Sequence, residues 1–151
     1  MAVNLVRSAR LYAGAPYAYA ARVSAADLIF TAGACPIDEQ GVVTAKGDVA
    51  AQMRQALANL RIALEDSGAT AADVVKTTVY VASSDRTELD AAWDEVAAFF
   101  GDHDVPSTLL GVAVLGYPDQ LVEIEAIAIA VQPRPAREAA ASHERTSPAG
   151  E

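Results

Sequence analysis

The sequence predicts an α+β domain in which one β-sheet carries two helices on one of its faces. Two segments, 49–64 and 89–100, repeat apolar residues at helical spacing. Strand-like runs surround them in the order β-β-β-α-β-α-β-β. Two helices cover one face of such a sheet, so the other face must meet something else, most simply a second copy of the chain.

Residues 1–16 are weakly patterned, and Ala15-Pro16-Tyr17 reads as an extended entry. Runs at 21–23 and 27–31 bracket Ser24-Ala25-Ala26 and suggest a hairpin. The second run, Leu28-Ile29-Phe30-Thr31, is β-prone and mostly apolar, as in a strand buried on both faces. Gly33 and Pro36 break it, and Gly41-Val42-Val43-Thr44 reads as a further short strand. Asp48 is a candidate N-cap for the first helix, whose stripe is Val49, Met53, Ala56, Leu57, Leu60, Ala63 and Leu64. Gly68 stands where a left-handed residue ends a helix. A strand over 74–82 places Val75, Thr77, Val79 and Val81 on one face. Thr87 and Asp90 have capping-box spacing ahead of the second stripe, Leu89, Ala92, Trp93, Val96, Ala97 and Phe100. Strands over 107–114 and 121–131 flank the turn Tyr117-Pro118-Asp119-Gln120. Residues 1–131 therefore read as the domain. Residues 132–151 are rich in Pro, Ala and mutually cancelling charges, and read as a flexible tail.

The 151 residues suit one domain, and at 52% hydrophobic with 21% charged the chain reads as globular. A net charge of -9 argues against nucleic acid, because phosphate binding needs clustered Lys and Arg. No apolar run spans a membrane and no signal peptide is legible, so a cytoplasmic protein without a membrane partner is expected. One cysteine excludes an internal disulfide and a Cys-built zinc site.

Glu123 and Glu125 share one face of the last strand. Such a pair is either a wet strand face or, in a cleft, a source of general acid/base chemistry. Ile127 and Ile129 continue that face as apolar, which suggests partial cover by a partner. Cys35 has no base near it in sequence and reads as a packing residue. His103, between Asp102 and Asp104, reads as a solvated loop rather than a metal site, and Trp93 reads as core.

Three separated stretches, Asp73-Val74-Val75-Lys76-Thr77-Thr78-Val79-Tyr80-Val81, the helix opening 48–57 and Val122-Glu123-Ile124-Glu125-Ala126-Ile127-Ala128, resemble the RidA/YjgF family of reactive-intermediate deaminases, also called L-PSP endoribonucleases. The resemblance implies a chorismate-mutase-like fold: a mixed β-sheet with two helices on one face, three copies closing a trimeric barrel, and ligand clefts between subunits. It implies hydrolysis of imines or enamines without a cofactor. The family's tyrosine falls on Tyr17 and its glutamate on Glu123. Its serine falls on Ala32, its helix asparagine approximately on Asp90, and its arginine on Thr108.

An arginine grips a carboxylate with a bidentate fork that a threonine hydroxyl cannot supply. The expected site is therefore Glu123 and Tyr17 for chemistry, with Thr108, Gly33, Ala34, Leu110 and Asp90 for substrate. The expected ligand is a small imine, enamine or carbonyl compound, handled by Glu-assisted hydrolysis or tautomerisation. A 2-imino acid is expected to be a poor substrate, unless another cation such as Arg22 replaces the arginine. A non-catalytic binding or interaction protein is the alternative, and RNA cleavage rests on a family label alone.

Overall fold

The computed structural model describes residues 4–6, 18, 20–22 and 27–130. Tyr17, the Ser24-Ala25-Ala26 turn and the tail 132–151 lie outside them. Among the described residues the strands and α-helices are β1 (Asn4–Val6), β2 (Ala20–Arg22), β3 (Leu28–Phe30), α1 (Val49–Asp66), β4 (Val74–Val81), α2 (Arg86–Phe100), β5 (Ser107–Gly111) and β6 (Val122–Ile129). The main sheet has the order β3-β6-β4-β5. β6 is antiparallel to both β3 and β4, and β4 is parallel to β5. A parallel pair needs a long crossover, which here contains α2.

Both helices start on aspartate caps. Asp48 accepts from the Ala51 N–H at 2.9 Å, and the chain leaves α1 through Gly68 at φ +85°. The second cap differs from the expected Thr87–Asp90 box. Asp85 is the N-cap and accepts from both the backbone N–H and the hydroxyl of Thr87, so the helix starts at Arg86. A carboxylate one residue before the first turn outcompetes a hydroxyl already inside it.

Helical spacing delivers Met53, Leu60, Leu64, Val96 and Phe100 against the β-face carrying Val79, Val81, Val122, Ile124 and Ala128. Ala63 departs from the expected stripe and is exposed, while Gln52 is fully buried on it. Trp93 packs partly buried against this core, and the His103 ring bonds the Val74 carbonyl at 2.8 Å through Nε2. Among the described residues no helix is long and apolar enough to cross a membrane, and no cluster of His, Cys, Asp and Glu is arranged to hold a metal.

Several strand expectations are corrected. β2 pairs with β1, and β3 pairs with β6 instead of closing a local hairpin. β3 is not buried on both faces: Leu28 is 49% exposed and Phe30 70% exposed. It is a sheet-edge strand whose middle residue, Ile29, alone packs on the core. Residues 41–44 form no strand. Asp38 accepts from the Gln40 and Val42 N–H groups in a tight turn, leaving a single bridge between Ile37 and Val43. β5 stops at Gly111, where a Cβ would meet the Ser83 carbonyl oxygen at 2.5 Å.

Among the described residues, no helix covers the second face of the main sheet. Leu28, Phe30, Lys76, Thr78, Tyr80, Thr108, Leu110, Glu123, Glu125 and Ile127 alternate onto it, because the strand period is two.

Candidate functional site

Glu123 is the second residue of β6 and stands opposite Tyr80. The turn before the strand holds it. Gln120 is only 4% exposed, and its Oε1 accepts from the Tyr117 N–H at 3.0 Å. Its Nε2 donates to the Val122 carbonyl and to Glu123 Oε2, each at 3.0 Å. Gln52 of α1 secures the turn from behind, donating to the Asp119 carbonyl at 2.9 Å and accepting from the Leu121 N–H at 2.8 Å. A polar residue on an apolar helical stripe was the one sequence signal for this arrangement. Gln120 itself gave none.

The chain after β3 meets the same carboxylate. A Cβ on Gly33 would sit 1.7 Å from Glu123 Oε1, so glycine leaves the space which that oxygen occupies. Ala34 exchanges backbone bonds with Ile124, which commits its N–H to the fold and leaves its methyl as a wall. Cys35 corrects the expectation that no base lies near it. Its thiol donates to Glu123 Oε2 at 3.6 Å, across 88 residues of sequence. Burial, and then the charge of Glu123, push the thiol above its ordinary range, so it stays a protonated donor. Asn59 of α1 fixes this loop by donating to the carbonyls of Cys35 and Ile37, both at 2.8 Å.

Gly33, Ala34, Cys35, Asn59, Ile62 and Tyr117 are walls of an open cleft of about 590 Å³, with Ala32 beside them. Two of those walls, Gly33 and Cys35, touch the Glu123 carboxylate.

Thr108 and Leu110 lie elsewhere, on the open face of β5. Thr108 is opposite Thr78, two strands and two residues away from Glu123, which is roughly 12 Å at standard strand spacing. The Glu123 carboxylate also lies against Gly33, on the side of β6 away from β5, so the two side chains do not face each other within one chain. Thr108 is not without a cation, because Lys76 Nζ donates to its hydroxyl at 2.5 Å. Burial lowers the pKa of this amine. Lys76, Thr78 and Glu125 line a smaller hollow of about 140 Å³ with Phe30 and Ile127. Tyr80 donates to Glu125 Oε1 at 3.1 Å, and that bond, ahead of burial, raises its phenol pKa. Asp90 is exposed on α2 and lines neither hollow. Next to Tyr17, Ala18 is buried and donates to the Asp104 carbonyl at 2.9 Å, near the start of β5. Arg22 lies in β2, which pairs with β1 and is not hydrogen-bonded into the main sheet.

Residues 8–130 match the family described as Endoribonuclease L-PSP. The chain belongs to the RidA/YjgF family. Over 115 residues it is 37% identical to the 2-iminobutanoate/2-iminopropanoate deaminase of Escherichia coli, covering 74% of this chain and 86% of that one. A RutC family protein of Pyrococcus horikoshii is 36% identical over 110 residues, 73% of this chain and 85% of its own. Among solved structures, a Rid family protein of Yersinia pestis superposes with a TM-score of 0.80 at 30% identity, covering 85% of this chain and 99% of that one. The E. coli YjgF protein superposes with a TM-score of 0.59 at 36% identity, covering 78% and 90%. The two helices and the mixed four-stranded sheet are thus those of the RidA/YjgF fold.

Proposed function

We propose that the chain hydrolyses a small imine or enamine, or tautomerises a related carbonyl compound, with Glu123 as general base and acid. The observation that carries this is the Glu123 carboxylate. Its Oε2 accepts two donors, while Oε1 lies over the bare backbone of Gly33 beside the cleft. A water on Oε1 would give up a proton to Glu123 as its oxygen attacks the C=N carbon, and Glu123 would pass that proton to the nitrogen to give the neutral carbinolamine. Glu123 would then take the carbinolamine hydroxyl proton and return it to the nitrogen as the C–N bond breaks, releasing a carbonyl and ammonia.

The distance from Glu123 to Thr108 supports a site that one chain cannot complete, with Thr108 and Lys76 supplied by a neighbouring copy in a homotrimer. The unpartnered sheet face, with Phe30 and Leu28 exposed, supports the same assembly. At that subsite a lysine point charge and a hydroxyl stand where a fork-shaped guanidinium would grip a carboxylate. A 2-imino acid, the substrate class in the name of the E. coli relative, would bind more weakly there.

The test is hydrolysis of 2-iminopropanoate, read as the keto acid formed, together with a neutral imine of similar size. We expect slow turnover of the acid and loss of about 100-fold or more in Glu123→Ala. Undiminished turnover in that variant would remove Glu123 from the chemistry.

A further inference from the structure

We propose that Gln120 is a positioning residue: together with the Cys35 thiol it ties down Oε2 of Glu123 and presents Oε1 alone to the reacting water. The inference rests on the reading of Glu123 as the base.

A carboxylate on an open strand face ordinarily turns about its last bonds and offers either oxygen. Here two donors from different parts of the chain converge on one oxygen. Gln120 Nε2 is 3.0 Å from Oε2 and Cys35 Sγ is 3.6 Å from it. The Gln120 amide cannot be reversed without loss. Its oxygen faces an N–H donor, that of Tyr117, and its nitrogen faces two acceptors, the Val122 carbonyl and Glu123. The residue is nearly fully buried and the Gln52 clamp holds its turn, so the donor does not wander. The thiol adds a donor that stays protonated beside the carboxylate. Oε1 is then directed at Gly33, where any side chain would collide with it. The remaining acids of the cleft wall, Asp38 and Glu39, belong to a separate turn and are unchanged in every variant below.

A residue that merely anchored the turn would also bond Tyr117 and Val122, so the test must separate the two roles. Gln120→Glu keeps an acceptor for Tyr117 but replaces the donor with a second carboxylate. Cys35 is the only cysteine in the chain, so its alkylation by iodoacetamide reports on the cluster without any substrate. We expect alkylation to need higher pH in Gln120→Glu and lower pH in Glu123→Gln, each by about half a unit or more. In 2-iminopropanoate hydrolysis we expect Gln120→Leu to lower kcat about 10-fold or more with KM nearly constant. In Gln120→Glu the acid limb of the pH profile should move upward, because adjoining carboxylates hold one proton between them.

Alkylation profiles that coincide with wild type in both charge variants would overturn the convergence on Oε2. Wild-type kcat and pH profile in both Gln120 variants, with Glu123→Gln inactive, would overturn the positioning role and leave the proposed base standing. Wild-type turnover in Glu123→Gln would overturn the base and the positioning role together. If wild type itself does not turn over this probe, the alkylation profiles alone decide whether the clamp exists.

Discussion

The two faces of the main sheet are made by the same strands yet have opposite chemistry. On β6, Val122, Ile124, Ala126 and Ala128 turn to the helices and are buried, while Glu123 and Glu125 turn away. β4 repeats the pattern, with Thr77, Val79 and Val81 inward and Lys76, Thr78 and Tyr80 outward. The inward face is closed by α1 and α2 and owes its stability to apolar area removed from water. The outward face holds Lys76, Tyr80, Glu123 and Glu125, and its edge carries exposed Phe30. A period of two thus lets one strand serve the core and the site at adjacent positions, so single substitutions can separate the two jobs.

The largest effect is expected inside. Ile124→Ala removes a fully buried side chain from the centre of the sheet and should cost about 2–5 kcal/mol in urea unfolding. Its neighbour Glu123→Gln should leave the unfolding midpoint near wild type. Comparable losses at both positions would erase the division between the faces.

Next comes assembly through the open face. Wild type should scatter light as about three times the 15.7 kDa chain, and Phe30→Glu should scatter as one chain. A wild type that scatters as a single chain would leave the open face solvated and the site confined to one subunit.

Gly33→Ala is expected to lower kcat roughly 10- to 100-fold with a small change in stability, because the new methyl displaces Glu123 Oε1 and not a core group. Steady-state kinetics beside a thermal melt checks it. Thr108→Arg should act in the opposite direction. It should raise kcat/KM for 2-iminopropanoate by about 10- to 100-fold, worth roughly 1.4–2.7 kcal/mol, and leave a neutral imine unaffected. Equal gains on both substrates would mean that the change is not a carboxylate grip.

The smallest effect lies away from the sheet. The Asp85 carboxyl is held below its ordinary pKa, first by the Thr87 backbone N–H and then by the Thr87 hydroxyl. A carboxyl lowered in the fold contributes above its unfolded pKa, and that contribution is lost as pH falls through the lowered value. Asp85→Ala should therefore melt slightly below wild type at neutral pH, and the gap should close in acid.

Much of the fold was legible from local pattern. The stripe of α1, the Asp48 cap, the Gly68 exit and the two-residue alternation of β4 and β6 are written within single stretches of chain. β3 was misread because an apolar triplet at a sheet edge looks like one at a sheet centre until its ladder partner is known. Thr87 and Asp90 carried the right spacing for a cap, but spacing could not rank them against Asp85. At the site, Glu123, Gly33 and Thr108 could be singled out. The distance separating Glu123 from Thr108 could not.

By itself the sequence determined the number of α-helices and the side of each strand on which its charges lie, because periodicity and capping are local properties, and three short stretches carried the resemblance to the family. Only the tertiary structure decided that Cys35 meets Glu123, that Gln120 holds one of its oxygens and that Lys76 stands at Thr108. Each of these contacts joins side chains through strand register and loop closure. Both are settled by burying the whole core at once and leave little mark on the residues nearby in sequence.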